Sequence, residues 1–155
     1  MRSVRRKDRE IPRDEALEVV DKCVFFTMAT VNTDGTPYCI PLSMVRDGEW
    51  LYFHSAQEGH KIDNLRHRNR VCISCVGNVK PFSGAFSLEY ESAVINGDAL
   101  EITDRGEKLH ALRLISQRHT PDHMPAFDVY VETMIEKTMV WKVHIDEISG
   151  KGRRA

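Results

Sequence analysis

The sequence lacks the short glycine motifs that mark several common enzyme classes. It has no G-x-G-x-x-G or G-x-x-x-x-G-K-[ST] segment, so the usual cradles for dinucleotides and nucleoside triphosphates are excluded. It also has no G-x-S-x-G elbow, the turn that carries the nucleophile of α/β-hydrolases. The sequence therefore lacks the usual motifs for dinucleotide binding, for nucleoside triphosphate binding and for α/β-hydrolase catalysis.

The chain has neither an excess of one charge nor a long apolar run. Its 22 Lys and Arg residues balance 23 Asp and Glu residues, so no global charge favours nucleic acid. The longest apolar run, near Val24–Val31, is far shorter than the roughly 20 residues that span a bilayer. The charged N-terminus also lacks the apolar segment of a signal peptide. We therefore expect a cytoplasmic protein with no nucleic-acid or membrane partner.

The length of 155 residues suits one domain with its own hydrophobic core. Basic residues gather at both ends, in an N-terminal arm over residues 1–10 and a C-terminal tail over residues 149–155. Frayed, solvated termini explain such clusters as well as a binding role does. Both interpretations stay open.

The few cysteines are not spaced as a metal site. Cys72 and Cys75 have C-x-x-C spacing, but Val71–Val76 has the composition of a strand, in which positions i and i+3 point to opposite faces. No second C-x-x-C or histidine pair completes a zinc set, and His119 and His123 lack a third ligand. We expect buried, reduced thiols and no metal.

Periodicity and turn signals predict a mostly antiparallel β-domain with helices. Two Asp-Gly turns, at Asp34-Gly35 and Asp47-Gly48, indicate a three-stranded meander over residues 25–54. Gly97 indicates a bulge or a close approach within a later strand. Several short strands with added helices favour a small barrel. The predicted helices are Pro12–Lys22, His60–Arg68 and Asp104–Arg118, residues 119–127 are a predicted loop, and the predicted strands are Phe25–Asn32, Pro37–Val45, Trp50–His54, Val71–Val76, Phe86–Tyr90, Ser92–Ile102 and Met139–Ile145.

The most informative segment is Trp50–Leu65, which gives a strand, a polar turn ending at Gly59, and a helix that opens with His60 and Lys61. A helix N-terminus carries unpaired N–H groups and partial positive charge, so a cation there costs about 0.3–1 kcal/mol. A bound phosphate removes that cost. The segment therefore indicates a seat for a phosphorylated cofactor.

The strand end at His54 and Ser55 adjoins this seat. Strand alternation places His54 on the face opposite Leu51 and Phe53, where it can meet a ligand, and Ser55 adds a hydroxyl. A solvated strand end explains the same residues, and Lys61 can equally be an ordinary surface lysine. The residues alone leave these alternatives open.

Pro41-Leu42-Ser43 lies in the strand before the second Asp-Gly turn. A proline lacks the N–H donor that a central strand needs, so this strand is expected to lie at an edge or to bend. A bent strand exposes backbone groups that a flat heteroaromatic ligand can use.

Five motifs occur in an order that is typical of one family. They are Arg5–Glu10, Tyr38–Ser43, Leu51–Ala56 with Gly59–Lys61, Tyr90–Ser92 followed by Gly97, and Ile148–Lys151. Together they resemble the pyridoxamine 5′-phosphate oxidase-related FMN-binding proteins, and specifically the nitroimidazole-resistance branch. The resemblance covers nearly the whole chain. Two departures are Ser149, where threonine is commoner, and Glu91, where a basic residue is frequent.

The resemblance implies a mainly β (α+β) fold, an FMN-binding split β-barrel of antiparallel Greek-key type. It implies a homodimer with FMN at the subunit interface, and an FMN-dependent oxidoreductase acting on a small organic substrate such as a nitroaromatic. A flavin-binding or sensing protein without turnover, and a split barrel that uses haem or a deazaflavin, are alternatives.

The resemblance also implies which residues serve the cofactor. His54 is the candidate catalytic residue, near the flavin ring and the substrate, and the Gly59–Lys61 turn holds the FMN phosphate. The implied set of FMN contacts is Pro41, Leu42, Ser43, His54, Ser55, Ala56, Gly59, His60, Lys61, Glu91, Ser92 and Trp141.

Overall fold

Nine strands and four α-helices make up the computed structural model, which describes residues 3–83 and 86–153. Short 3-10 helices occupy Lys7–Arg9, Pro121–Ala126 and Ile135–Lys137. The strands are β1 (Glu10–Ile11), β2 (Phe26–Val31), β3 (Pro37–Leu42), β4 (Val45–Asp47), β5 (Trp50–Ser55), β6 (Arg70–Pro81), β7 (Leu88–Glu101), β8 (Met139–His144) and β9 (Glu147–Arg153), and the helices are α1 (Arg13–Lys22), α2 (His60–His67), α3 (Arg105–His119) and α4 (Phe127–Met134).

The strands pair in the order β3-β2-β6-β7-β8-β5-β4, and all pairs are antiparallel. The long strand β7 pairs with β6 along its length, while its other edge pairs first with β9 and then with β8. Strand β1 adds to β9. Because β3 and β4 end this order without pairing to each other, the barrel is open. The predicted split β-barrel, mainly β with helices, is confirmed.

Two glycine turns shape the first hairpins as predicted. Gly35 (φ 86°) and Gly48 (φ 57°) adopt the positive φ angles that such turns require, and they connect β2 to β3 and β4 to β5. The predicted continuous meander is wrong, however, because the strand breaks at Ser43 and Met44. The break separates the two hairpins to opposite ends of the sheet, and it leaves β3 as an edge strand.

Helix α1 closes the inner side of the barrel. Its residues Ala16, Val19 and Val20 are fully buried in the main core, together with Phe26 and Phe53. Apolar residues at i, i+3 and i+4 give the helix this buried face. The core therefore positions β2 and β5, the strands that flank the candidate site.

Two glycines permit close backbone packing. A Cβ on Gly97 would lie 2.0 Å from the His144 carbonyl oxygen, and the β6–β7 register is regular there. Gly97 is thus a close approach and not a bulge. A Cβ on Gly150 would lie 2.5 Å from Ile11 and 2.7 Å from Ala16, so this glycine allows β9 to pass under α1.

Three regions of the structure contain more regular secondary structure than predicted. Strand β6 extends to Pro81 across an irregularity between Val76 and Val79. The predicted loop over residues 119–127 contains a 3-10 helix, and α4 follows it because Phe127 and Val131 pack against α3. Residues 149–153 of the predicted tail lie in β9. Arg2 and Arg154 of the predicted basic ends lie outside the described residues, as does Gly84.

The cysteines are all reduced. Cys23 and Cys75 are buried, and Cys72 is half-buried on the opposite face of β6 from Cys75, as the strand alternation predicts. Cys39 is exposed on the edge strand β3, so its predicted burial is wrong: that strand has one uncovered face. None of the described helices is long and apolar enough to cross a membrane.

Candidate functional site at the β5–α2 junction

The chain leaves β5 at Ser55 and enters α2 through Gly59. Gly59 has φ 132° and ψ 166°, a conformation that residues with a side chain rarely adopt. Space is not the reason for glycine here, because nothing lies within 4 Å of a Cβ built at this position. The backbone conformation alone therefore requires glycine at the helix start.

Within residues 3–83 and 86–153, no side chain caps the N-terminus of α2. The N–H groups of Ile62 and Asp63 bond to the Gly59 carbonyl at 2.8 and 3.1 Å. The N–H groups of His60 and Lys61 have no acceptor among the described residues. A helix end with open N–H groups and partial positive charge favours an anion.

Lys61 adds a cation to this helix end. Its side chain is half-buried, and it forms no ion pair or hydrogen bond with any described residue. Asp63 follows in the same first turn without pairing to it. The ammonium group is thus available to a ligand, and its charge also reaches His54.

His54 lies on the open side of β5, between the buried residues Phe53 and Ser55. Partial loss of hydration lowers the pKa of His54, and the electrostatic effects of Lys61 and His119 lower it further. The imidazole is therefore neutral at pH 7, with one N–H donor and one acceptor nitrogen. We call His54, Gly59, His60 and Lys61 the β5–α2 site.

Ser55 and Trp141 lie beneath this site. Ser55 is 7% exposed and Trp141 is 3% exposed. The Trp141 Nε1–H group donates to Ser55 Oγ at 3.3 Å, and Ser55 Oγ donates to the Ala56 carbonyl at 2.9 Å. The Trp141 ring stacks on Phe53 with centroids 6.3 Å apart. Both polar groups are thus engaged inside the protein, whereas Ala56 is exposed.

A polar network fixes α2 against β2. His60 Nε2 lies 2.8 Å from Asn32 Oδ1, and the His60 ring stacks on Tyr38 of β3 at 4.0 Å. The buried Asn64 donates to Thr30 Oγ1 at 2.9 Å and to Asn32 Oδ1 at 2.8 Å. Asn64 is not among the predicted site residues, because its only signal in the sequence is an amide between the apolar residues of a short helix.

The segment Pro41-Leu42-Ser43 ends the edge strand β3. Pro41 is exposed and lies opposite Thr27 of β2, while Leu42 packs against the main core. The chain bends at Ser43 and Met44, so the predicted bend is present. His119 of α3 reaches this bend, with its Nε2 2.9 Å from the Met44 carbonyl oxygen.

Glu91 and Ser92 belong to a different region. Glu91 is 5% exposed, and its Oε1 accepts from Asn78 N at 3.2 Å, Asn78 Nδ2 at 3.0 Å and Lys22 Nζ at 3.4 Å. We call these three residues, with Gly77, the Glu91 cluster. Ser92 Oγ donates to the Lys151 carbonyl at 3.4 Å. No hydrogen bond or ion pair of the described residues joins either Glu91 or Ser92 to the β5–α2 site.

A cavity of about 420 Å³ lies beside the Glu91 cluster. Its lining mixes both charges with aromatic and apolar groups, and two lining residues, Lys80 and Glu89, are cross-strand neighbours that pair at 2.9 Å. The lining residues are Asn78, Val79, Lys80, Glu89, Tyr90, Glu91 and Arg153.

Comparison with solved structures finds the same fold in several proteins. A candidate 5-nitroimidazole antibiotic resistance protein from Bacteroides thetaiotaomicron is 29% identical, with a TM-score of 0.77 over 92% of this chain and 85% of that chain. The flavocytochrome Anf3 from Azotobacter vinelandii is 21% identical, with a TM-score of 0.77 over 98% and 72% of the two chains. A FAD and haem binding protein from Mycobacterium smegmatis is also 21% identical, with a TM-score of 0.77 over 93% and 72%. The last two likenesses show the fold alone.

Sequence comparison gives the family. No curated protein matches this sequence. A family profile described as pyridoxamine 5′-phosphate oxidase matches residues 12–152, which run from the start of α1 to the last residue but one of β9. The chain therefore belongs to the pyridoxamine 5′-phosphate oxidase family and has its split β-barrel fold.

Proposed function

We propose that this protein is an FMN-dependent oxidoreductase that reduces a small organic substrate such as a nitroaromatic. The observation that carries the proposal is the start of α2, where two N–H groups and the Lys61 ammonium group find no partner among the described residues. This donor set is the kind that binds a phosphate. The 29% identity to a nitroimidazole-resistance protein supports the substrate class.

Each residue of the β5–α2 site has a separate task in this proposal. Gly59 gives the backbone conformation that opens the helix end, and Lys61 and the N–H groups hold the FMN phosphate. The Tyr38 and Asn32 contacts keep His60 in place beside it. FMN supplies the electron transfer, and the protein binds it and orients the substrate.

His54 is the proposed catalytic residue. Its lowered pKa favours the neutral imidazole, which presents an N–H donor without adding a second positive charge next to Lys61. A neutral imidazole can hold a polar group of the substrate and later release or take up a proton at the same nitrogen.

The remaining predicted contacts fall into two groups. Pro41, Leu42 and Ser43 are proposed to lie along the flavin, because β3 already touches the site through Tyr38 and His60. Ser55 and Trp141 support the strand end from below, and Ala56 lies on its exposed side. Glu91 and Ser92 lie outside the site of their own chain, so a role for them at FMN requires the partner subunit.

We further propose a homodimer. Several large apolar side chains near the β2 end and along the β6–β7 hairpin are at least half exposed, which favours a protein interface. They are Val24, Phe25, Val76, Val79 and Leu88. Light scattering of the purified protein tests this, and Phe25→Glu is expected to shift the dimer toward monomer.

The phosphate seat is tested with the Lys61→Ala variant. We expect the loss of this charge-assisted contact to weaken FMN binding by about 1.5–3 kcal/mol, which is about 10- to 150-fold. Quenching of flavin fluorescence during titration of the flavin-free protein measures the affinity. Riboflavin lacks the phosphate, so its affinity is expected to be the same for the wild type and the variant.

Arg66→Ala is the matched control. Arg66 is an exposed cation in the last turn of the same helix, and its removal should leave FMN affinity unchanged. Equal FMN affinity of Lys61→Ala and wild type would contradict the proposed phosphate seat. The basic N-terminal arm would then be the next candidate for binding the phosphate.

Turnover is tested by anaerobic reduction with NADH or NADPH, followed by reoxidation with a nitroimidazole. Failure of both steps would support the second candidate function, a flavin-binding or sensing protein. Because two structural neighbours are described as a flavocytochrome and as a FAD and haem binding protein, the absorption spectrum is also decisive. A Soret band in place of flavin bands would contradict FMN.

A further inference from the structure

Two consecutive residues in the last turn of α3 form hydrogen bonds to backbone carbonyls next to the sheet. Arg118 Nη2 donates to the Cys23 carbonyl at 2.6 Å, and His119 Nε2 lies 2.9 Å from the Met44 carbonyl. Cys23 stands before β2 and Met44 follows β3. One helix turn therefore holds the chain on both sides of the β2–β3 hairpin.

The contact with Met44 is needed because the sheet is broken there. Met44 lies between β3 and β4, outside both ladders, although its side chain is fully buried. A backbone carbonyl at such a bend requires another partner. Since a carbonyl only accepts, Nε2 of His119 carries the proton, and this fixes the imidazole on the bend.

Two observations link this bend to the β5–α2 site. Tyr38 of β3 stacks on His60, so the strand that leads to the bend contacts the helix start. His119, which holds the bend, also contributes to the lowered pKa of His54 at the end of β5. Along the chain, the segment Pro41–Ser43 lies between Tyr38, which contacts His60, and Met44, which His119 holds.

We infer that His119 is a positioning residue for the cofactor: through its hydrogen bond to the Met44 carbonyl it fixes the Pro41–Ser43 segment beside the β5–α2 site. The inference rests on the proposed function in one respect, that the ligand of the site is FMN. The hydrogen bond itself belongs to the protein without cofactor. It can therefore be tested independently of binding.

The test uses two substitutions that separate the hydrogen bond from the shape of the side chain. His119→Gln keeps an N–H donor at a reach close to that of Nε2, and His119→Leu removes the donor while keeping bulk. His110→Gln is the matched control, because His110 lies on the same helix and contacts Asp47 at 3.0 Å, away from the bend.

Two measurements are made on each variant. Hydrogen exchange of the Leu42–Val45 amides is followed in the flavin-free protein, and FMN affinity is measured by fluorescence quenching. We expect His119→Leu to speed exchange selectively at Leu42–Val45 and to weaken FMN binding about tenfold or more. His119→Gln should restore both to near wild type, and His110→Gln should change neither.

Three outcomes overturn the inference. They are wild-type FMN affinity in His119→Leu, equal damage in His119→Gln and His119→Leu, and faster exchange spread over the whole chain with a lowered melting temperature. If the wild type binds no FMN, the proposed function fails and the cofactor part of the inference fails with it. The exchange data then still decide whether His119 holds the bend.

Discussion

Two polar regions of this barrel are built in opposite ways. In the Glu91 cluster, a buried carboxylate receives donors from Asn78 and Lys22. At the β5–α2 site, two N–H groups and Lys61 find no acceptor among the described residues. The first region is complete within one chain, whereas the second has donors in excess. An excess of donors at a helix start is what a phosphate can complete.

Burial explains why the two regions differ. Glu91 is 5% exposed, and a buried carboxylate must be hydrogen-bonded to be tolerated. The strand irregularity at Gly77 and Asn78 supplies those donors, and a Cβ on Gly77 would lie 2.6 Å from Glu91 Oε1. Lys61 is only half-buried, so water can serve it until a ligand arrives. Substitutions in the first region should therefore act on stability, and those in the second on binding.

The largest effect on stability is expected for Glu91→Ala. The change leaves the Asn78 donors without their acceptor and should lower the free energy of unfolding by about 2–3 kcal/mol, below the loss for a fully buried ion pair, because Lys22 is partly exposed. Denaturant unfolding of the flavin-free protein measures this. Glu89→Ala is the control: among the described residues Glu89 pairs only with the exposed Lys80, so the substitution should cost less than about 1 kcal/mol. Equal losses would contradict the special role of Glu91.

Gly77→Ala tests the same cluster from the backbone side. The added methyl group would overlap Glu91 Oε1 and Cγ, and we expect a loss of about 1–3 kcal/mol. Gly152→Ala is the matched strand glycine, because a Cβ there makes ordinary contacts at 3.4 and 3.6 Å. Thermal melts of both variants give the comparison. A Gly77→Ala protein as stable as Gly152→Ala would mean that Glu91 moves freely.

At the β5–α2 site, the Lys61→Ala substitution should raise the free energy of unfolding of the flavin-free protein, whereas the substitutions in the Glu91 cluster lower it. Removing a cation from a helix N-terminus should stabilise the fold by about 0.3–1 kcal/mol. Arg66→Ala removes a cation from the C-terminal end of the same helix and should destabilise by a similar amount. Denaturant unfolding at low ionic strength measures both. A destabilised Lys61→Ala protein would show that Lys61 serves the fold and not a ligand.

The smallest expected effect is the contribution of His54 to the pH dependence of stability. Its pKa in the folded protein is lowered from the ordinary value of about 6.5 by lost hydration, then by Lys61 and His119. Above pH 6.5 both states are neutral and His54 contributes nothing. As pH falls below that value, the unfolded state takes up the proton first, so stability decreases until the folded pKa is reached. The His54→Gln protein should lose less stability between pH 7 and pH 5.

Nuclear magnetic resonance of the His54 ring checks the cause. Titration of the flavin-free protein should give a pKa for His54 below that of a free histidine, and Lys61→Ala should raise it. A His54 pKa at or above the ordinary value would contradict a neutral imidazole next to Lys61.

Much of this architecture could be predicted from local sequence. The Asp34-Gly35 and Asp47-Gly48 turns fix their hairpins because few residues other than glycine accept a positive φ. The start of α2 at His60 was predicted within one residue, because Gly59 and the following apolar spacing are both local signals. The same local signals gave the candidate site at His54, Gly59 and Lys61.

Other features depend on contacts between distant parts of the chain. Helix α4 follows a proline-containing segment and forms because Phe127 and Val131 find an apolar surface on α3. Strand β9 contains Gly150, which weakens any strand pattern, but this glycine is what lets Ile11 and Ala16 approach. His119 became a neighbour of the site only because α3 folds back onto the bend at Met44.

By itself, the sequence determined the hairpin turns, the helix start at Gly59 and the family motifs, since each depends on residues close in the chain. Only the tertiary structure decided that Glu91 is satisfied, that Ser55 and Trp141 face inward, and that His119 reaches the Met44 carbonyl. The physical reason is that hydrogen-bond satisfaction and burial depend on which distant elements meet. Periodicity fixes the face of an element but not its neighbour.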